Sequence, residues 1–145
     1  MAITKQDMRK LQVLQNKTLR LMSRLGYEAS TKELIDKCCE LSVHQLVFYH
    51  TACQIYKIKL NRLPEYHFSR LFQNESQTKS NKKTRYAKKG ILRVDFKLSI
   101  ARSSFFYQAP QVWNALPQYV KSAKNLKAFK KKCKNWTKNN VLVKV

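Results

Sequence analysis

The chain has 145 residues, enough for one domain of ordinary size with a core that needs neither disulfides nor metal. A hydrophobic fraction of 43% with only 2 Gly and 3 Pro excludes a fibrous or wholly disordered chain. Its 30 Lys+Arg against 8 Asp+Glu, formally +22, call for a polyanion, with nucleic acid first and an anionic membrane surface second.

Met8, Leu11, Leu14, Thr18, Leu21, Met22 and Leu25 recur at helical spacing and predict a helix over Lys5–Leu25. Thr4-x-x-Asp7 reads as a weak capping box at its start and Gly26 as its stop. Ser30-x-x-Glu33 opens a second helix, to about Cys39, and Ser42-x-x-Gln45 a third, Val43–Asn61. The third is apolar on nearly every face, the mark of a central buried helix. Pro64 begins a short helical turn through Phe72.

From Gln73 to Gly90 the chain turns polar and basic, which reads as a flexible loop or linker. Leu92, Val94, Phe96 and Leu98 then alternate with Arg93, Asp95 and Lys97, the pattern of a half-buried strand. Ser103–Tyr107 is the expected antiparallel partner. Pro110–Ala115 reads as one or two helical turns, with Pro117 as a stop. Leu126, Phe129, Cys133 and Trp136 form one apolar stripe on a last helix, Asn125–Asn139. The expected fold is mainly α: a helical subdomain over 1–72, a basic linker over 73–90, and a short β-hairpin with a basic amphipathic helix over 91–145. The three long helices are expected to share one core.

Basic charge concentrates late. Residues 1–75 hold 12 basic and 7 acidic residues; residues 76–145 hold 18 basic and one acidic, Asp95. Lys124, Lys127, Lys130, Lys131, Lys134 and Lys138 gather opposite the apolar stripe, with Lys132 apart. Lys82, Lys83, Arg85, Lys88 and Lys89 crowd the linker around Tyr86, and Arg102 precedes the aromatic string. These are the expected nucleic-acid contacts, made mostly to phosphates and with little base specificity. Basic amphipathic helices also bind membrane surfaces or calmodulin-type partners, and a charged face is often only a solvated one. The near absence of acids after Glu75 favours nucleic acid. The run Lys79–Lys89 also fits a nuclear-import signal.

Phe105, Phe106, Tyr107, Trp113 and Trp136 are possible stacking platforms for bases. Core packing is the better account of Trp113 and Trp136, and Tyr86 is the better stacking residue. Cys38, Cys39, His44, His50 and Cys53 supply metal-ligand types, but His44 leaves the helix face that His50 and Cys53 share. No metal, no cofactor and no catalytic residue is expected: Gly-rich phosphate loops, Gly-x-Ser-x-Gly and His-Glu-x-x-His are all missing from the sequence. The amino terminus turns charged at once and no apolar run reaches membrane-span length. An intracellular chain, nuclear or cytoplasmic, with reduced thiols follows, and the sequons at Asn16, Asn74 and Asn135 become chance matches.

Four strings occur in order: Leu11–Arg20; Thr84-Arg85; Arg102-Ser103-Ser104-Phe105-Phe106-Tyr107 leading to Pro110-Gln111-Val112-Trp113-Asn114-Ala115-Leu116-Pro117; and Leu126-Lys127-Ala128-Phe129-Lys130-Lys131. In this order they resemble the carboxyl-terminal region that follows the reverse transcriptase domain in non-LTR (LINE-like, jockey-type) retrotransposon polyproteins. The resemblance covers almost the whole chain. It implies a non-catalytic accessory region that helps hold element RNA or target DNA, or a stand-alone remnant of one. The polymerase's Tyr/Phe-x-Asp-Asp and the zinc knuckle of some relatives are missing here. The alternative is an interaction module that packs on a parent polymerase domain or another partner, with no ligand of its own.

Overall fold

The computed structural model describes residues 5–38, 40–61, 64–72 and 104–140. Among them run α1 (Lys5–Ser23), α2 (Thr31–Cys38), α3 (Val43–Asn61), α4 (Glu65–Phe72), α5 (Phe105–Ala115), α6 (Gln118–Lys121) and α7 (Leu126–Asn139). The chain divides into two compact units, 1–47 and 48–145. The helices expected to share one core therefore divide: α1 lies in the first unit, α7 in the second, and α3 runs through the boundary. No described helix is long and apolar enough to cross a membrane.

In the first unit two of the three expected capping boxes form among the described residues. The Ser30 amide donates to Glu33 Oε2 at 2.9 Å, and the Glu33 amide to Ser30 Oγ at 3.3 Å. Ser42 and Gln45 repeat the exchange at 2.9 and 3.3 Å, so each helix start satisfies two amides from its own sequence. Thr4, the start of the first expected box, lies outside the described residues. α1 stops at Ser23, earlier than Gly26, and the residue in the left-handed region is Arg24 with φ 53°.

The packed face of α1 differs from the expected one. Met8 is buried, but Leu11, Leu14, Leu21 and Met22 are 44, 59, 84 and 68% exposed. The inward face centres on Leu19, with Gln12, Gln15 and Asn16 beside it. These amides take up backbone and side-chain groups of the following segment. Gln12 Oε1 accepts from the Val43 amide at 3.0 Å, Gln15 Nε2 donates to the Leu41 carbonyl at 2.6 Å, and Asn16 Nδ2 donates to Thr31 Oγ1 at 2.8 Å. Leu34 and Leu41 complete the small core. Hydrophobic periodicity marked the apolar face of α1; partner hydrogen bonds selected the polar one.

The second unit has a larger core built by α3, α5, α6 and α7, with Leu71 of α4. α3 buries Phe48, Ala52, Cys53, Ile55, Tyr56 and Ile58. The expected hairpin is overturned. Phe105–Tyr107, read as its second strand, forms the first turn of α5, with the Ser104 carbonyl accepting from the Tyr107 and Gln108 amides, both at 3.1 Å. Leu92–Leu98, read as the first strand, lies outside the described residues, and no strand occurs among those described. Aromatic runs favour strands only where a sheet surface receives them. Here the rings pack on helices: Phe106 meets Tyr66 and His67 edge-on, with centroids at 5.9 and 5.2 Å. Pro110 sits inside α5 and donates no helix hydrogen bond; its burial offsets that loss.

Candidate nucleic-acid interface

α7 begins at Asn125, whose side-chain oxygen accepts from the Ala128 amide at 2.8 Å. The helix is seated by Phe129 and Cys133, both fully buried, with Leu126 and Trp136 packed against the same core. Thr137 is buried too; its hydroxyl donates back to the Cys133 carbonyl at 2.8 Å. This docking leaves Lys127, Lys130, Lys131 and Lys134 exposed along one side and Lys138 half-buried at its end. Lys124 is exposed just ahead of the cap. The row from Lys127 to Lys138 extends about 16 Å along the axis at ~1.5 Å per residue.

Lys132 stands apart from that row, and its ammonium donates to the Tyr119 carbonyl at 3.2 Å, tying α7 to α6. Within the row, Lys127 repels Lys130 and Lys131, and Lys134 repels Lys130, Lys131 and Lys138, all at three- or four-residue spacing. Lys127 also lies in a first turn that carries no acid, where a cation opposes the helix dipole. Glu65 is the one carboxylate among the described residues of this unit. The surface is thus set up to gain from an external anion.

Lys82, Lys83, Arg85, Tyr86, Lys88, Lys89 and Arg102 lie outside the described residues. Two further lysines, which no sequence pattern singles out, join the basic surface of the second unit. Lys59, in the last turn of α3, and Lys121, at the end of α6, both place their ammonium groups over the Trp113 ring, 5.2 and 5.8 Å from its centroid. No spacing in the sequence links them; only the packing of α3 against α5 and α6 does.

Trp113 is 3% exposed and serves as core, stacked toward Phe129 at 6.4 Å. Trp136 is half-buried, 5.6 Å from the Phe48 ring, and Phe105, Phe106 and Tyr107 are half-buried. Tyr119 is 55% exposed beside the Lys132 tether.

Among the described residues no three His, Cys, Asp or Glu side chains converge to hold a metal ion. Cys53 instead lies in the core near Tyr49 and Cys133. Burial pushes the Cys53 thiol up, and it pushes Cys133 up to about 12, helped by the proximity of Cys53. Desolvation, then the charge of Cys53, raises the Tyr49 phenol to about 12. These shifts favour the protonated forms of both thiols and of the phenol at neutral pH.

The described residues of the second unit thus carry a row of lysines on α7 and a lysine pair over Trp113, with Cys53 and Cys133 in the core beneath. No family model, no curated protein and no solved structure matches this chain.

Proposed function

We propose that this chain is a non-catalytic nucleic-acid-binding region, gripping RNA or DNA through phosphates. The observation that carries the reading is the exposed row Lys127, Lys130, Lys131 and Lys134, ending at Lys138, on a helix whose other side is buried at Phe129, Cys133 and Thr137. A helix seated this firmly presents its charges as an ordered line, and mutual repulsion along the line falls when phosphates intervene. The resemblance in the Phe-Phe-Tyr and Trp-Asn-Ala-Leu-Pro strings supports its origin as the accessory region after a non-LTR retrotransposon reverse transcriptase, or a remnant of one. The test is a titration of the full chain with RNA and DNA oligonucleotides over a salt series. Binding that weakens steeply with salt is the expected result; a flat salt response, or no binding at low salt, overturns it.

A specific observation favours a second reading as well, an interaction module. Leu11, Leu14, Leu21 and Met22 form an exposed apolar stripe on α1, and Lys10 and Lys17 flank it on one side. A partner surface with apolar pockets and an acidic edge, such as a polymerase domain, complements it. Co-purification of the chain with that partner, abolished by Leu14→Gln/Leu21→Gln, tests this reading.

A further inference from the structure

We propose that Lys59 and Lys121 form a fixed phosphate-binding point on the floor of Trp113, taking one or two phosphodiester groups of a nucleic-acid strand. The proposal rests on the nucleic-acid reading above and gives it a second point of attachment, distinct from the row on α7.

The two lysines come from different helices, yet their ammonium groups lie 5.2 and 5.8 Å from the same ring centroid. Trp113 is 3% exposed and clamped in the core, so the floor does not move with solvent. Lys121 is half-buried, and its ammonium donates to the Asn114 carbonyl at 3.5 Å. That bond engages one of three donors and fixes the group's position. Lys59 is exposed, and its ammonium reaches the same ring from the last turn of α3.

Two cations held near one ring repel each other. Burial lowers the Lys121 pKa, and the charge of Lys59 lowers it further. Among the described residues of this unit the one carboxylate, Glu65, stands at the start of α4. An anion relieves the repulsion, and a cation or apolar ligand aggravates it. Lys124, exposed three residues beyond Lys121, continues the positive surface toward α7. A strand with regularly spaced phosphates therefore fits better than an isolated anion.

The experiment compares the full chain, K59Q/K121Q, and K32Q/K37Q as a control with the same charge change on α2. Each is titrated with a single-stranded oligonucleotide over a salt series. K59Q/K121Q is expected to bind about tenfold more weakly at low salt, with the salt slope reduced by about 0.7 for each phosphate no longer held. The control should change far less. Should both doubles behave alike while the native chain binds, the lysine pair is not a phosphate site, though the nucleic-acid reading stands. No binding by the native chain overturns both. Competition by polyglutamate as effective as that by an unlabelled oligonucleotide overturns the phosphate assignment. Competition by micromolar inorganic phosphate overturns the strand assignment. Circular dichroism checks that the double variant folds, and K59Q alone, at an exposed position, repeats the test if it does not.

Discussion

Tyr56 lies flat on Phe129, ring centroids 4.2 Å apart and planes 14° from parallel, while its hydroxyl donates to the Ala123 carbonyl at 2.7 Å. One side chain thus joins α3 to α7 through its face and to the loop before α7 through its tip. Both the docking of the lysine helix and its start depend on this pair. Tyr56→Phe keeps the stack and removes the hydrogen bond, and should cost about 1–2 kcal/mol. Phe129→Ala empties the stack and should cost about 3–5 kcal/mol. Urea denaturation followed by circular dichroism measures both. Equal effects would show that the stack contributes no more than the hydroxyl.

The lysine row of α7 should make stability respond to salt in the opposite sense from a protein held by ion pairs. Like charges at these spacings cost roughly 0.2–0.5 kcal/mol per pair in exposed helices. Added salt screens them, so the melting temperature should rise between low and physiological ionic strength. Lys130→Gln/Lys134→Gln should raise it at low salt and weaken oligonucleotide binding in the same protein. A melting temperature that falls with salt would contradict the repulsion.

The buried thiol at Cys133 sets an alkaline limit. Its folded-state pKa is raised from 9.0 to about 12. Below pH 9 both folded and unfolded forms are protonated, and the contribution is fully present. Between pH 9 and 12 the unfolded thiol ionises while the folded one stays protonated, so stability falls as pH rises. Cys133→Ala should flatten part of that decline in a pH series of denaturation curves. Near neutral pH, iodoacetamide should label Cys38, half-buried, well before Cys53 or Cys133 in the native chain. Rapid native labelling of Cys133 would show that the core around α7 opens.

Arg24 adopts φ 53°, a conformation that a Cβ disfavours and glycine does not. Arg24→Gly should stabilise the first unit by about 0.5–1 kcal/mol, and Arg24→Ala should not. Thermal melts of the two variants decide it.

The exposed stripe of α1 should be thermodynamically idle in the isolated chain. Leu21→Gln and Met22→Gln should change stability by less than about 0.5 kcal/mol, whereas Leu19→Ala, buried at 3%, should cost about 2–5 kcal/mol. A large loss at Leu21 would mean that the stripe is covered.

What could be read from the sequence was local. Ser30 with Glu33 and Ser42 with Gln45 place donor and acceptor three residues apart, so helix starts follow from spacing alone. The apolar stripe of α7 and the lysines opposite it were legible for the same reason, because one helix period fixes both faces. Tertiary structure decided what spacing leaves open. Phe105–Tyr107 has the composition of a strand, yet it forms the first turn of α5, with Phe105 and Phe106 against rings of α4. The apolar periodicity of α1 named an inward face, and the hydrogen bonds of Gln12, Gln15 and Asn16 to a later segment chose another. Lys59 and Lys121 share no motif, and only the helices that carry them bring both to Trp113. Pairings across such separations depend on which surfaces meet. That choice is settled by the summed burial and hydrogen bonding of the whole unit rather than by any window of the chain.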